Sequence, residues 1–126
     1  MAYKPAGYTS VSPYLLIKDA ETTLRFIEQA FGGVRLRIMP RDDGTTQHAE
    51  IRIDDSVVMM GEIPDGPAAH VHIYVPDVAA TFARAVAAGG TVIHPLTLSP
   101  DGDHRGGIAD PGGTVWWLTT PGAGQV

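Results

Sequence analysis

The sequence of 126 residues contains no cysteine and has nine lysines and arginines against fourteen aspartates and glutamates. Without cysteine, the fold can use neither a disulfide nor a thiolate-ligated metal site. The formal net charge is -5 at pH 7 and the basic residues are scattered, so we expect no nucleic acid partner. The sequence also lacks a basic-then-apolar start and any apolar run as long as a membrane span, which predicts a cytoplasmic protein without a membrane partner.

The composition is that of an ordinary globular domain, with 44% hydrophobic and 18% charged residues. A chain this short buries roughly two-thirds of its unfolded surface, which is enough for one core but not for a large enclosed cavity as well. We therefore predict a single domain over residues 1–126, in which a second subunit helps to complete any ligand site.

The first half of the chain shows one strand, one helix and three further strands. Alternating apolar residues predict the first strand over residues 10–18, and Asp19 then caps a helix that ends at the pair Gly32-Gly33. Helical spacing of apolar residues places that helix at Ala20 to Phe31. The strands that follow are predicted at residues 34–39, 46–53 and 56–62.

The second half repeats this order. After a Pro- and Gly-rich connection at residues 63–69, a strand begins at His70, Asp77 caps a second helix, and Gly89-Gly90 ends it. Residues 14–33 align with residues 72–90 with one gap, and three more strands follow to about residue 120. Coincidence is the alternative, but two capped helices with matching ends favour a duplicated module. We predict an α/β (α+β) fold of two βαβββ modules, at about residues 9–62 and 70–120.

Four stretches carry a resemblance to a known family. They are Val11 to Asp19, HAEIRIDDSVVMMGE from His48, HVHIYVPDVAATFARAVAAGG from His70, and GDHRGGIADPGGTVWW from Gly102. They resemble the vicinal-oxygen-chelate superfamily of glyoxalases, bleomycin-resistance proteins and dioxygenases, and its PhnB-like branch in particular. The resemblance covers nearly the whole chain. It implies a curved mixed sheet with helices outside, a ligand on the concave inner face, and a homodimer with shared sites.

The same resemblance locates the metal positions of the superfamily. Its metal-dependent members take one ligand from the first and last strand of each module, and the corresponding positions here are about Ser12, Met59 or Met60, His70 and Trp117. His70 alone is a credible ligand, since neither methionine nor tryptophan offers a donor for zinc, nickel or iron(II). A divalent metal cofactor is therefore not favoured, and glyoxalase or extradiol dioxygenase chemistry is not expected.

Strand alternation assigns further polar side chains to the concave face. Glu50 and His72 are candidate catalytic groups, because a buried carboxyl and an imidazole can move protons on a bound carbonyl compound. His70, His72 and Glu50 offer an alternative, rearranged metal site. The competing interpretation has the histidines as half-exposed strand residues and Glu50 in an ion pair with a neighbouring arginine. The remaining concave-face candidates for ligand binding are Tyr14, His48, Arg35 and Arg37.

Three further residues are assigned to ligand binding. Trp117 occupies a metal-ligand position and suits a stacking cleft for an aromatic or cationic molecule, and Met60 adds an adaptable wall. Arg105 lies in the segment PDGDHRGG from Pro100, which is either a lid that contacts ligand or an ordinary hairpin loop. The leading hypothesis is a homodimeric protein that binds a small organic molecule. The alternatives are a lyase, isomerase or dioxygenase-like enzyme, and an interaction module without a ligand.

Overall fold

The computed structural model describes residues 3–122, and its elements follow the predicted order. The first module contains β1 (Tyr14–Ile17), α1 (Ala20–Phe31), β2 (Val34–Pro40), β3 (Thr46–Ile53) and β4 (Ser56–Glu62). The second module contains β5 (His70–Tyr74), α2 (Val78–Ala87), β6 (Thr91–Leu98), β7 (His104–Ala109) and β8 (Val115–Thr120). Residues 63–69 connect the modules without a helix or strand.

Each module forms its own four-stranded mixed sheet. The strand orders are β1-β4-β3-β2 and β5-β8-β7-β6, with β1 parallel to β4, β5 parallel to β8, and antiparallel pairs elsewhere. The identical order in both sheets confirms the prediction of two βαβββ modules. Among the described residues, no helix is long and apolar enough to cross a membrane.

Both helices begin at the predicted aspartates. The Asp19 carboxylate accepts hydrogen bonds from the backbone N–H (3.3 Å) and hydroxyl (2.9 Å) of Thr22, and Asp77 accepts one from the N–H of Ala80 (3.2 Å). These bonds satisfy donors that the first helical turn leaves without a partner. At the other end of α1, Gly32 adopts a left-handed backbone (φ 68°), which a residue without a Cβ accepts at low cost.

The core lies between the helices and one face of each sheet, which we call the helix face. Leu24 and Ile27 of α1 pack there with Ile51 of β3, and all three are buried. Trp116 of β8 is also completely buried, and its ring lies 4.9 Å from that of Phe31 at the end of α1. This contact joins the two modules, because it brings the last strand of one against the helix of the other.

A bulge in β2 overturns one prediction about faces. Arg35 pairs with Ile51, so its side chain lies on the helix face and not on the opposite face of the sheet, which we call the concave face. There its guanidinium forms ion pairs with Glu21 (2.8 Å) and Glu28 (2.9 Å) of α1. The assignment of Arg35 to the cleft was wrong, because two β2 residues between Arg35 and Ile38 oppose one residue of β3, and strict alternation fails there.

Candidate functional site

A chain of hydrogen bonds runs across the concave face of the first sheet. The Tyr14 hydroxyl lies 3.1 Å from Nδ1 of His48, and Nε2 of His48 lies 2.8 Å from a carboxylate oxygen of Glu50. The other oxygen of Glu50 accepts a hydrogen bond of 2.5 Å from the hydroxyl of Tyr8. The predicted residues Tyr14, His48 and Glu50 are thus brought together, and Tyr8 is an addition that strand alternation could not supply.

Gly61 of β4 lets Tyr14 reach His48. The two side chains come from strands on either side of β4, so the phenol has to cross that strand. A Cβ placed on Gly61 would lie 3.2 Å from the Tyr14 hydroxyl and 2.9 Å from the carbonyl oxygen of Gln47. The absence of a side chain at Gly61 therefore leaves the space through which the bond forms. We did not predict this role, although a glycine inside an apolar strand is a signal of close approach.

Glu50 is an ionised carboxylate at the buried end of this chain of hydrogen bonds. Only 4% of the residue is exposed, and burial by itself would raise its pKa. The hydrogen bonds from Tyr8 and His48, assisted by the positive charge of Arg37, outweigh burial and hold the pKa of Glu50 below its usual range. The same bond to Glu50 raises the pKa of the Tyr8 hydroxyl.

Arg37 lies on the concave side, as predicted, because the β2 bulge shifts it to the side of Glu50. Its guanidinium donates to the sulfur of Met39 (3.1 Å), and none of the ion pairs formed within residues 3–122 involves it. Arg37 thus places a positive charge beside the hydrogen-bonded chain without a direct ion pair among residues 3–122.

The concave face of the second sheet holds an aromatic platform formed by Trp117 and His70. The indole N–H of Trp117 donates to Nδ1 of His70 (3.1 Å), and the two ring planes differ by 11° with centroids 6.2 Å apart. An indole N–H and an imidazole lone pair both lie in their ring planes, so the rings lie side by side and not face to face. His94 approaches Trp117 from β6, with centroids 6.5 Å apart.

Gly107 of β7 makes room for this platform. It pairs with Trp117 in the sheet, and a Cβ on Gly107 would lie 2.7 Å from a carbon of the indole ring. The indole therefore lies directly against the β7 backbone. Gly107, like Tyr8 and Gly61, is a residue of the site that we did not predict from the sequence.

His72 lies on the same face of the second sheet and pairs with Trp117, but its own side-chain contacts are with Thr119 and Tyr74. Its Nε2 lies 3.0 Å from the Thr119 hydroxyl and its ring packs edge-on against Tyr74, with centroids 4.5 Å apart. His72 and Tyr74 also line a cavity of about 400 Å³ beside the β3–β4 turn. Among residues 3–122, no hydrogen bond joins His72 to Glu50, and the two predicted catalytic groups lie in different sheets.

Two other predicted positions need correction. Met60 is completely buried on the helix face, opposite Ala49, whereas Met59 pairs with Tyr14 and Glu50 on the concave face. Met60 therefore cannot line the cleft, and Met59 holds the position that Trp117 holds in the second module.

Arg105 lies inside strand β7 and not in a loop, so its predicted loop position was wrong. Its register with Thr119 places it on the concave face. Its guanidinium lies 3.6 Å from Asp101 and 3.7 Å from Asp103, at the end of the strand.

The side chains at the superfamily's metal positions do not fit a divalent cation. With Met59 in place of Met60, the four positions hold Ser12, Met59, His70 and Trp117, and Nδ1 of His70 already accepts the indole N–H. Within residues 3–122, no three histidine or carboxylate side chains converge as a metal site would require, and the alternative set of Glu50, His70 and His72 does not come together.

Two βαβββ modules with helices on one side and open sheet faces on the other define a paired-module α+β fold. The family model of the glyoxalase, bleomycin resistance protein and dioxygenase superfamily matches residues 11–118, and the chain belongs to this superfamily. It is 35% identical over 126 aligned positions to an uncharacterised protein of Mycobacterium tuberculosis, covering 89% of this chain and 74% of that one. A Mycobacterium bovis relative is equally similar, with 83% of its length covered.

Solved structures share this fold. TioX from Micromonospora sp. ML1 has a TM-score of 0.77 and 24% identity, covering 90% of this chain and 98% of that one. The fosfomycin resistance protein FosX from Listeria monocytogenes has a TM-score of 0.76 and 13% identity, covering 93% and 97%. A PhnB protein from Bacillus cereus has a TM-score of 0.66 and 19% identity, covering 89% and 99%. The PhnB-like proteins are thus one of several groups of structural neighbours.

Proposed function

We propose that this protein binds a small planar organic molecule, aromatic or cationic, on its concave sheet faces. The observation that carries the proposal is the platform of Trp117 and His70, whose rings lie nearly coplanar and are locked by a hydrogen bond. A wide, rigid π surface favours stacking of a flat molecule and attracts cations to its face. The proposed role resembles that of the superfamily's binding proteins and needs no metal.

The contrast between the adjacent tryptophans supports this choice. Trp116 is fully buried and donates its indole N–H to Asp110 (2.9 Å), so it contributes to the core. Trp117 points to the opposite face, is partly exposed, and donates its indole N–H to the ring of His70. Tryptophan is enriched at interfaces, where its apolar ring and its polar N–H both find partners.

We further propose that a second copy of the chain completes the cleft. The concave faces carry large side chains that one chain leaves open, among them Tyr14 (48% exposed) and Tyr74 (71% exposed). A ligand on an open sheet would keep much of its surface in water, whereas binding sites for small molecules bury most of the ligand. Sedimentation equilibrium should therefore give twice the 13.4 kDa chain mass, and a monomer across the micromolar range would contradict the homodimer.

Single-tryptophan variants test the binding proposal. Trp116→Phe leaves Trp117 as the reporter, and we expect proflavine or 1-naphthoate to quench its fluorescence saturably, because both are flat enough to stack on the platform. Cyclohexanecarboxylate, which is not planar, should have no effect. Circular dichroism establishes that each variant is folded.

The matched control is Trp117→Phe, which retains only the buried Trp116. Its fluorescence should not respond saturably to either flat compound, and its residual signal corrects for light absorbed by the probes. Equal quenching in both variants, or no quenching of Trp117 by either flat compound, would show that the platform is not the binding surface.

A further inference from the structure

We propose that Tyr14 is a general acid–base residue, activated by His48 and positioned through Glu50, that transfers protons at the carbon next to the carbonyl of a small 2-oxo acid. This activity goes beyond ligand binding at the platform, because it uses the first sheet and none of Trp117, His70 or His94. It also differs from the pair of Glu50 and His72 expected from the sequence, since Glu50 here never touches the substrate.

The partners of His48 fix which ring nitrogen carries the proton. An ionised Glu50 carboxylate can only accept hydrogen bonds, so Nε2 of His48 must donate to it (2.8 Å). In the neutral ring Nδ1 is then an acceptor, and it receives the Tyr14 O–H at 3.1 Å. The hydrogen bonds therefore run in one direction. The hydroxyl proton of Tyr14 points to His48, and the oxygen lone pairs of Tyr14 remain free to bind a substrate.

This order of groups suits removal of a proton from carbon. As the Tyr14 oxygen takes the substrate proton, its own hydroxyl proton passes to Nδ1 of His48, and the electron pair of the broken C–H bond forms the enolate of the substrate. The resulting imidazolium lies beside ionised Glu50, which stabilises it. Reversal of the same transfers returns a proton to the carbon, so no oxidant, reductant or further reactant is consumed.

Tyr14 and Glu50, at the two ends of the hydrogen-bonded chain, differ in burial. Tyr14 is 48% exposed, whereas Glu50 is 4% exposed and both of its oxygens already accept hydrogen bonds, from Tyr8 and His48. A substrate can therefore reach Tyr14 but not Glu50. Glu50 is a positioning residue, and Tyr8 keeps it ionised and fixed.

Arg37 selects the class of substrate. Its cation lies on the same concave side, outside the ion pairs of residues 3–122, and suits the carboxylate of an acid. β1 and β2 are three strand spacings apart, about 14 Å between their backbones. The Tyr14 hydroxyl crosses β4 to reach His48 of β3, and Arg37 contacts Met39, which pairs with His48. Both groups therefore approach His48, where a small 2-oxo acid, with its acidic C–H next to the carbonyl, would bridge them.

Deuterium exchange tests the proposal directly. With the full chain in D₂O, we expect ¹H NMR to show faster loss of the C3 protons of pyruvate and 2-oxobutanoate than in buffer. Tyr14→Phe should reduce the acceleration by about 100-fold or more, and His48→Gln by a similar factor, since the first removes the general base and the second removes the acceptor of its proton. Tyr3→Phe, at an exposed tyrosine outside the chain of hydrogen bonds, should exchange at the wild-type rate.

A second readout does not depend on the substrate. In the neutral ring of His48 the ¹⁵N spectrum should show a protonated Nε2 and a bare Nδ1, and Glu50→Gln should disturb this pattern while circular dichroism stays that of the folded chain. Undiminished exchange in Tyr14→Phe, no acceleration by the wild type, or a protonated Nδ1 in neutral His48 would each overturn the proposal. Because Trp117 takes no part, these outcomes are distinct from a failure of platform binding.

Discussion

Replacing Trp116 by alanine should lower the free energy of unfolding by about 4 kcal/mol or more, the upper part of the range for large-to-small core substitutions. The indole is completely buried and packs against Phe31, so the truncation opens a cavity at the contact between the modules. It also removes the N–H donor from the buried Asp110 carboxylate. Urea unfolding followed by far-UV circular dichroism measures the loss.

Trp117→Ala is the matched comparison for Trp116→Ala. Its indole is partly exposed on the concave face and lies over Gly107, so its removal should cost only about 1 kcal/mol. The two adjacent tryptophans would then differ several-fold in the unfolding free energy that is lost when each is replaced by alanine. An equal loss in both variants would mean that Trp117 is a core residue, which would also remove the basis for platform binding.

The fold could be predicted from the sequence because its signals are local and occur twice. Asp19 and Asp77 both act as helix caps, and the predicted bounds of α1 are those observed. Each helix is followed by strands whose alternation sets one face against the core. Such features depend on a few neighbouring residues, and their repetition in the second half supported each assignment independently.

The positions of single side chains were harder to predict, because they depend on register and bulges. Strict alternation predicted Arg35 in the cleft. Because of the bulge in β2, its side chain lies on the helix face, where it forms an ion pair with Glu21 of α1. The choice between Met59 and Met60 depended on the register of the last strand of the first module. The repeat aligns Tyr14 with His72. Tyr14 pairs with Met59 and His72 pairs with Trp117, so Met59 is the counterpart of Trp117.

Tyr8 shows a different limit of sequence reasoning. It lies before the first strand and meets Glu50, which is 42 residues further along the chain. Its segment is held there because Arg52 donates to the carbonyl oxygen of Gly7 (2.6 Å) and its guanidinium lies 5.9 Å from the Tyr8 ring centroid. No periodic pattern or motif specifies these contacts, since they form only after β3 is part of the sheet. The role of Tyr8 in holding Glu50 could therefore not be predicted from the sequence.

Asp110→Asn should destabilise the protein by about 1–3 kcal/mol at neutral pH, the cost of leaving a buried donor without an acceptor. One carboxylate oxygen of Asp110 accepts from Trp116, and the other accepts from the backbone N–H groups of Gly112 (2.8 Å) and Thr114 (3.2 Å). An asparagine has one oxygen and one NH₂ group, so in either orientation a donor faces a donor. Urea unfolding of the two proteins measures the difference.

The same variant should also change how stability depends on pH. Burial raises the pKa of Asp110 above its ordinary 3.8, although the hydrogen bonds from Trp116, Gly112 and Thr114 oppose the shift. Between the unfolded and folded values the native state binds more protons, so this group makes wild-type stability fall as pH rises from about 4 toward the folded pKa. Asparagine does not titrate, and the carboxylates with lowered pKa, such as Glu21 and Glu50, contribute alike to both proteins. The advantage of the wild type over Asp110→Asn should therefore shrink between pH 4 and pH 7, and a constant or growing advantage would contradict the raised pKa.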